Sequence, residues 1–169
     1  MLITEYAATD PLALRRLAAD VGPGSEPFVR DDGKGSVVIA KAGTPSGVPA
    51  EKSVTVLFTG GHYGPAGGDW LFLVGLWTPA EFREEFLAWY KIEHLPILLE
   101  NPQWDGCRFV EQNVAEGCQF HAMHQLSDKA ALDSNERKRS RATPWFRRLA
   151  QQSWFDGAFT RNLYRRPAP

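Results

Sequence analysis

Strand and helix signals alternate in a defined order through the C-terminal part of the sequence. Residues 70–77 are almost all apolar, as in a strand that is buried on both faces. Thr78-Pro79 follows as a helix N-cap with proline in the first helical position. Apolar residues then recur at helical intervals from Phe82 onward, and Pro96 predicts that this helix kinks or ends there.

Further strand and helix signals complete this part of the chain. Residues 104–110 and 119–126 read as two strands joined by a polar, glycine-containing turn. Ser127 or Asp128 can cap a helix that ends near residue 142, and a last strand is predicted at 159–164. The order is β-α-β-β-α-β, which predicts a ferredoxin-like α+β fold.

Residues 1–68 show weaker signals and hold only four of the aromatic residues. Their order, β-α-β-β, repeats the start of the C-terminal pattern, so they could be a degenerate half-repeat. They end in a glycine-rich segment at 60–68, which we interpret as a linker or a mobile loop. We therefore divide the chain into an N-terminal extension, 1–68, and a ferredoxin-like domain, 69–169. The N-terminal signals are a strand at 2–7, a helix at 11–21 and strands at 37–39 and 54–58.

Charge and composition argue against several classes of function. Nineteen basic and twenty acidic side chains give a net charge of −1, which argues against binding of nucleic acid or an anionic membrane surface. Two cysteines cannot form a disulfide framework, which is typical of the reducing cytosol. No apolar run reaches the ~18 residues of a membrane span, and the first residues do not resemble a signal peptide. We therefore expect a cytoplasmic protein that binds neither nucleic acid nor membrane.

A motif on the first C-terminal helix resembles a family signature. Residues 89–96 read Trp-Tyr-Lys-Ile-Glu-His-Leu-Pro. This is similar to the W-Y-x-x-E-H-[IL]-P signature of the EthD-like branch of the dimeric α/β-barrel superfamily. The segments 77–79, 101–102 and 107–109 agree with the strand and proline positions around that signature. The resemblance covers residues 69–166.

This resemblance implies an architecture and a range of activities. The sheet would carry helices on one face and meet a second sheet on the other, normally in a homodimer, with a cavity between the sheets. Residues 1–68 could instead supply this cover within one chain, giving a pseudo-dimeric barrel. Family members act on small aromatic, polyketide-derived or lactone compounds, mostly without a cofactor, by cyclisation, isomerisation, dehydration or decarboxylation. A separate branch binds heme.

His94 is the first candidate for a catalytic residue. Helical spacing aligns it with Phe86 and Tyr90 on the inward face, where an imidazole can exchange protons near neutral pH. A helix end would favour the protonated form and burial the neutral form, and the sequence leaves both open. By spacing alone, a core histidine bonding the free carbonyls before Pro96 is the simpler interpretation. The resemblance favours a functional role.

Two histidines share one predicted strand. His121 and His124 are three residues apart, so their side chains point to opposite faces of the sheet. The set of Phe120, Ala122, His124 and Leu126 is the more apolar and suits the helix-covered face, which would leave His121 in the cavity. The resemblance favours the opposite, because its aromatic positions coincide with 120 and 124. We choose His124 as the catalytic candidate and keep His121 as a substrate-binding candidate.

Aromatic residues and one loop histidine supply further candidates. Tyr90 could donate a hydrogen bond to a substrate oxygen. Trp77, Trp89 and Trp104 could line an aromatic-binding wall. His62 lies in the glycine-rich segment, which could fold over the cavity as a lid. Each residue also has a structural interpretation, as a core aromatic or as part of a linker.

Residues 137–148 contain six basic side chains and no acid. They could attract an anionic substrate or a phosphate backbone, but a solvated helix face is the simpler interpretation. The histidines and cysteines show no metal-ligand spacing, so no metal site is predicted. The basic side chains are Arg137, Lys138, Arg139, Arg141, Arg147 and Arg148.

These features predict a cofactor-independent acid–base enzyme of the lyase or isomerase type that acts on a small molecule. His94 would transfer the proton, while Tyr90 and His124 would orient or polarise an oxygen. The alternatives are a heme-binding barrel with a histidine as axial ligand, and a non-catalytic module that binds a small ligand.

Overall fold

The computed structural model describes residues 2–7, 10–21, 24–40, 54–64 and 67–167. Strands in these segments form one antiparallel sheet. They are β1 (Leu2–Ala7), β2 (Glu26–Arg30), β3 (Gly35–Ala40), β4 (Val54–Gly61), β5 (Trp70–Thr78), β6 (Trp104–Gln112), β7 (Cys118–Leu126) and β8 (Phe159–Arg165). Their order is β1-β3-β2-β8-β5-β7-β6-β4.

The helices lie mostly in the C-terminal part. There, the order β8-β5-β7-β6 with helices between the strands confirms the predicted ferredoxin-like α+β fold. A π-helical segment, Tyr90–His94, joins α2 to α3. The helices are α1 (Pro11–Val21), α2 (Arg83–Trp89), α3 (Leu95–Leu99), α4 (Asn135–Ser140) and α5 (Pro144–Ala150), with 3₁₀ turns at Ala80–Phe82 and Lys129–Asp133.

The first C-terminal helix does not end at Pro96. The amide of Leu95 bonds to the carbonyl of Tyr90, five residues back, so the chain takes one wide turn just before the proline. Proline lacks an amide and crowds the preceding turn, and the wide turn accommodates it without breaking the helix. The helix therefore continues to residue 99, and His94 lies within it rather than at its end.

The two faces of the sheet are covered differently. One face of β5–β8 packs under the helices through a core that includes Phe72, Phe120 and Phe109. On the other face, Leu71, Leu73, Val110, Met123 and Tyr164 pack against residues from β2, β3 and β4. The sheet therefore curls on itself, and the space between its two halves is filled with side chains. The cover that a second subunit would give comes from the same chain, as in the pseudo-dimeric alternative.

The N-terminal part contains one strand that the sequence analysis missed. Strand β2 pairs with β3 and β8, yet it contains Pro27 between Glu26 and Phe28. Its charged ends and its proline weaken the alternating pattern on which strand prediction depends. Helix α1 covers β3 from outside, where Leu14 and Ala18 contact Val38.

The glycine-rich segment is not a free linker in its described residues. Gly60 and Gly61 end strand β4 and pair with Cys107 and Gly106. Gly61 has φ +67°, and a Cβ there would lie 2.4 Å from the carbonyl oxygen of Asp105. Farther along, the Gly64 amide donates to Oε1 of Gln125 at 2.8 Å. Glycine therefore serves close packing of the backbone here rather than freedom of movement.

Candidate active site

A cavity of about 380 Å³ lies between the sheet and the helices of the C-terminal part. It is on the helix-covered face, so the expectation that it would lie between two sheets is wrong. Its wall is largely aromatic, which suits a planar apolar ligand. The lining residues are Phe72, Val74, Trp89, Tyr90, His94, Leu98, Trp104, His124, Arg137, Arg141, Phe146, Ala150, Phe155, Asp156, Phe159 and Arg161.

His94 reaches this cavity from the π-helical segment. The wide turn places its ring against two preceding rings in tilted contacts, with centroid distances of 4.5 Å to Trp89 and 4.8 Å to Tyr90. Its Nδ1 atom is buried and has no hydrogen-bond partner. Other atoms of the half-buried ring line the cavity.

The surroundings of His94 favour the neutral imidazole. Burial lowers its pKa to about 4, and the nearby charges of Arg141 and Arg137 act in the same direction, while the backbone of Ser140 opposes them. The helix-end effect does not apply because the helix continues past this residue. Of the two effects weighed from the sequence, burial is thus the larger, and it favours an imidazole that is neutral at neutral pH.

Three buried side chains form a hydrogen-bonded chain beside His94. The indole Nε1 of Trp104 donates to Nδ1 of His124 at 3.0 Å. Nε2 of His124 lies 2.6 Å from the hydroxyl oxygen of Tyr90. His124 is 1% exposed and Tyr90 3% exposed, so neither bond competes with bulk water.

The chemistry of Trp104 assigns the protons in this chain. An indole nitrogen only donates, so Nδ1 of His124 must accept and carries no hydrogen. Burial lowers the pKa of His124, so its ring is neutral and holds its one proton on Nε2. That proton is donated to the Tyr90 oxygen. Burial raises the pKa of Tyr90, so the phenol keeps its own hydrogen, which is free to point into the cavity.

A β-bulge places Trp104 in this chain. The pairing of β6 with β7 shifts between Trp104, opposite Leu126, and Gly106, opposite Gln125. Simple alternation would put residue 104 on the face opposite to Cys107, and the bulge brings both to the helix face. The extra residue, Asp105, is held by the glycine-rich segment. Its carbonyl accepts from the His62 amide at 2.7 Å, and its Oδ2 accepts from the Gly68 amide at 2.8 Å.

Three guanidinium groups line the same cavity. Arg137 donates to the Leu132 carbonyl at 2.5 Å and lies over the ring of Phe72. Arg161 lies over the ring of Phe159, with its guanidinium carbon 4.7 Å from the centroid. Burial, followed by the charge of Arg141, lowers the pKa of both Arg137 and Arg161. The simpler interpretation of residues 137–148 as a solvated helix face therefore does not hold for Arg137, which is half-buried, whereas Arg141 is exposed at the cavity.

The cavity brings together some of the predicted site residues and leaves out others. His94, Tyr90, His124 and Trp89 line it, and the opposite orientation of His121 and His124 is observed. The sequence analysis named Trp104 only as a wall residue and did not predict that its indole donates to His124. It did not predict Arg161 as a cavity residue either, because the position of Arg161 depends on the pairing of β8 with β5, which is remote in sequence.

Three predicted substrate-binding residues lie elsewhere. His121 faces the opposite side of the sheet, where its Nε2 lies 2.9 Å from Oε1 of Gln112. Trp77 is 38% exposed at the end of β5, and its indole donates to the Glu116 carbonyl at 3.2 Å. His62 is exposed beside the bulge and does not cover the cavity.

Comparison with known proteins identifies the fold. No family model matches the chain, and no curated protein is similar to it in sequence. Solved structures are similar over almost the whole chain. One is a ferredoxin fold protein related to antibiotic biosynthesis monooxygenases from Listeria monocytogenes 4b F2365, with 17% identity, TM-score 0.65 and coverage of 99% of this chain and 94% of that chain.

Two other solved structures are similar to the same degree. The heme-degrading enzyme LmHde from Listeria monocytogenes has 15% identity, TM-score 0.65 and 98% coverage of both chains. An anthrone oxidase-like protein has 12% identity, TM-score 0.65 and coverage of 98% of this chain and 90% of that chain. The chain has the dimeric α/β-barrel fold. At these identities the likeness establishes this fold alone.

In the part of the chain that the structure describes, no three His, Cys, Asp or Glu side chains converge as metal ligands would. No described helix is long and apolar enough to cross a membrane.

Proposed function

We propose that the cavity is the active site of a cofactor-independent acid–base enzyme that acts on a small planar aromatic or polyketide-like compound. The observation that carries this proposal is the position of the neutral His94 imidazole on the wall of an aromatic cavity, with its ring centroid 4.8 Å from that of Tyr90. A neutral imidazole can act as a general base.

The proposed first step is enolisation of a carbonyl compound. The His94 imidazole takes a proton from a carbon that is next to the carbonyl or conjugated with it, so the C–H bond breaks and an N–H bond forms. The electron pair moves onto the carbonyl oxygen, where the Tyr90 hydroxyl donates a hydrogen bond to the developing charge. A positioned base contributes about 10²- to 10⁴-fold. One directed donor contributes about 10²- to 10³-fold.

Return of the proton to a different atom gives an isomerisation, and loss of a leaving group from the enolate gives a dehydration. These are reactions of the lyase and isomerase types. The motif at residues 89–96 supports an EthD-like relationship, since its Trp89, Tyr90 and His94 all line the cavity. The proposed partner is a small molecule.

The size and shape of the cavity favour a ligand with a few fused rings. A volume of about 380 Å³ falls in the lower range for small-molecule sites. The rings of Trp89, Trp104 and Phe146 offer faces and edges to a planar ligand. The structural neighbour described as anthrone oxidase-like supports the choice of a tricyclic ketone as the first probe.

Deuterium exchange into anthrone tests the proposal. Anthrone has an acidic carbon whose exchange in D₂O, without oxygen, is followed by proton NMR. The wild-type chain should accelerate exchange, and His94→Gln should lower the rate about 10²-fold or more while the protein stays folded. His121→Gln is the matched control, because it removes a strand histidine that faces away from the cavity. Unchanged exchange in His94→Gln would overturn the proposal.

Heme binding is a second candidate, favoured by a histidine and arginines on the wall of the same cavity. His94 could serve as an axial ligand, and the cavity arginines would meet the carboxylates of the porphyrin. One structural neighbour is a heme-degrading enzyme. Titration with hemin tests this function. A Soret shift at one equivalent that His94→Gln removes would favour it, and an unshifted spectrum would exclude it.

A further inference from the structure

The cavity holds an excess of positive charge. Arg137, Arg141 and Arg161 line it together with a single carboxylate, that of Asp156. None of the three guanidinium groups forms an ion pair within the part of the chain that the structure describes. Like charges brought together in a partly dry site repel one another, and a bound anion removes that repulsion.

The three arginines are not equally available to a ligand. Arg137 is half-buried and already donates to the Leu132 carbonyl, so it belongs to the wall. The side chains of Arg141 and Arg161 are exposed, as is Asp156, whereas Tyr90 and His124 are buried. The opening of the cavity is therefore formed by Arg141 and Arg161, and its inner end by the hydrogen-bonded chain.

A second, shallower groove extends this basic opening. Arg137, Lys138, Arg141 and Phe146 line a surface depression of about 260 Å³ that shares three residues with the cavity. A negatively charged ligand that approaches along this groove meets guanidinium groups before it meets the aromatic wall. Such groups bind carboxylates through paired, charge-assisted hydrogen bonds.

We infer that the cavity selects planar aromatic ligands that carry a carboxylate, which Arg141 and Arg161 bind at the opening while the ring system lies against the aromatic wall. The inference deepens the proposed function, since it assumes that the cavity is the ligand site. It narrows the substrate class, because aromatic compounds that carry a carboxylate should bind more tightly than neutral aromatic ketones such as anthrone.

A pair of probes that differ only in charge tests the inference. Anthraquinone-2-carboxylate and anthraquinone-2-carboxamide have the same ring system, and binding of either is followed by quenching of the fluorescence of Trp89 and Trp104. The carboxylate should bind about tenfold more tightly than the carboxamide at low salt. Its advantage should shrink as ionic strength rises.

Arginine variants locate the charge effect. Arg141→Gln and Arg161→Gln should each weaken carboxylate binding about tenfold and change carboxamide binding little. Arg147→Gln is the matched control, because Arg147 belongs to the same basic stretch but does not line the cavity. Equal affinity for both probes, or an equal loss in Arg147→Gln, would overturn the inference, since either result removes a specific role for the opening.

Hemin carries the same carboxylates on a larger ring, so the variants are titrated with it in parallel. A loss confined to hemin assigns the carboxylate to a porphyrin, and a loss confined to the tricyclic acid assigns it to a smaller aromatic. No loss with either probe overturns the inference. These binding measurements do not require turnover. They can therefore contradict the inference while the exchange assay still supports the role of His94, and the reverse is also possible.

Discussion

The indole nitrogen of Trp104 lies 3.0 Å from Nδ1 of His124, and this contact fixes which atom donates in each hydrogen bond from Trp104 to Tyr90. Because an indole cannot accept, His124 must present its Nε2 hydrogen to Tyr90, and Tyr90 must turn its own hydrogen away from His124. Trp104 is thus a positioning residue that acts through another side chain.

Trp104→Phe keeps an aromatic ring at this position and removes the indole N–H donor. We expect His124 to take up the Nδ1-protonated form in part, because nothing then opposes a hydrogen on that atom. Tyr90 would then donate to Nε2 instead of to the cavity. The buried Nδ1 also loses its partner, which should cost about 1–3 kcal/mol of stability. Nitrogen-15 NMR of His124 reports the tautomer directly.

Tyr90→Phe provides the comparison for that variant. If Trp104 acts only through Tyr90, the double variant Trp104→Phe/Tyr90→Phe should exchange anthrone no more slowly than Tyr90→Phe alone. Additive losses in the exchange rate, or an unchanged His124 tautomer in Trp104→Phe, would contradict the assignment of protons.

Acid should destabilise the protein through its buried histidines. The pKa of His94 is about 4 in the folded chain, below its usual value of 6.5, so the unfolded chain binds more protons between those two values. Stability is therefore present above pH 6.5 and is lost as the pH falls toward 4. Burial lowers the pKa of His124 and His121 too, in the same direction.

Urea unfolding at pH 7 and at pH 4.5 measures this loss. The midpoint should fall with pH in the wild-type chain, and it should fall less in His94→Gln, which has no imidazole to protonate at this position. A wild-type midpoint that rises between pH 7 and pH 4.5 would show that other groups dominate.

Gly61→Ala should disturb the site from a distance. The new Cβ would lie 2.4 Å from the Asp105 carbonyl oxygen, in a backbone conformation with φ +67° that alanine rarely adopts. We expect a loss of about 2 kcal/mol or more in stability, because backbone atoms must move. The bulge at Asp105 would shift, and the His124 tautomer should change as it does in Trp104→Phe.

Gly64→Ala is the control for that experiment. A Cβ at this position meets nothing within 4 Å, although the residue lies in the same glycine-rich segment. It should keep both the wild-type urea midpoint and the wild-type tautomer. An equal loss of stability in the two variants would mean that the segment acts only through its general flexibility.

The chain should behave as a single copy in solution. The inner face of β5, β6 and β7 is already covered by β2, β3 and β4, so no large apolar face remains there for a second subunit. Light scattering should give a particle of 18.9 kDa, the mass of one chain. Twice that mass would point to contact through a different surface.

Local patterns in the sequence predicted the parts of the site that depend on periodicity. The apolar run at 70–77 predicted β5, and the helical spacing of Tyr90 and His94 placed both on one face. A separation of three residues was enough to predict that His121 and His124 face opposite sides. Each of these depends on neighbours along the chain, where the period of a strand or helix applies.

Features that depend on remote contacts could not be predicted in this way. Trp104 reaches His124 only through a bulge that is held by the backbone of Gly68 and His62. Pro96 predicted only that the helix kinks or ends. The π-helical turn before it depends on a shifted hydrogen bond, from the amide of Leu95 to the carbonyl of Tyr90, which the residue types do not predict. The proposed binding of a carboxylate by Arg141 depends on β8, which brings Arg161 to the same cavity.

Enclosing both halves of the barrel in one polypeptide has a genetic consequence. In an assembly of two identical copies, any substitution is present twice and must suit both positions. Here β2 and β3 cover the inner face while the cavity depends on residues from 72 to 161. The covering half can therefore accumulate changes on its own, and the half that contains the cavity can change without a matching change across a symmetry axis.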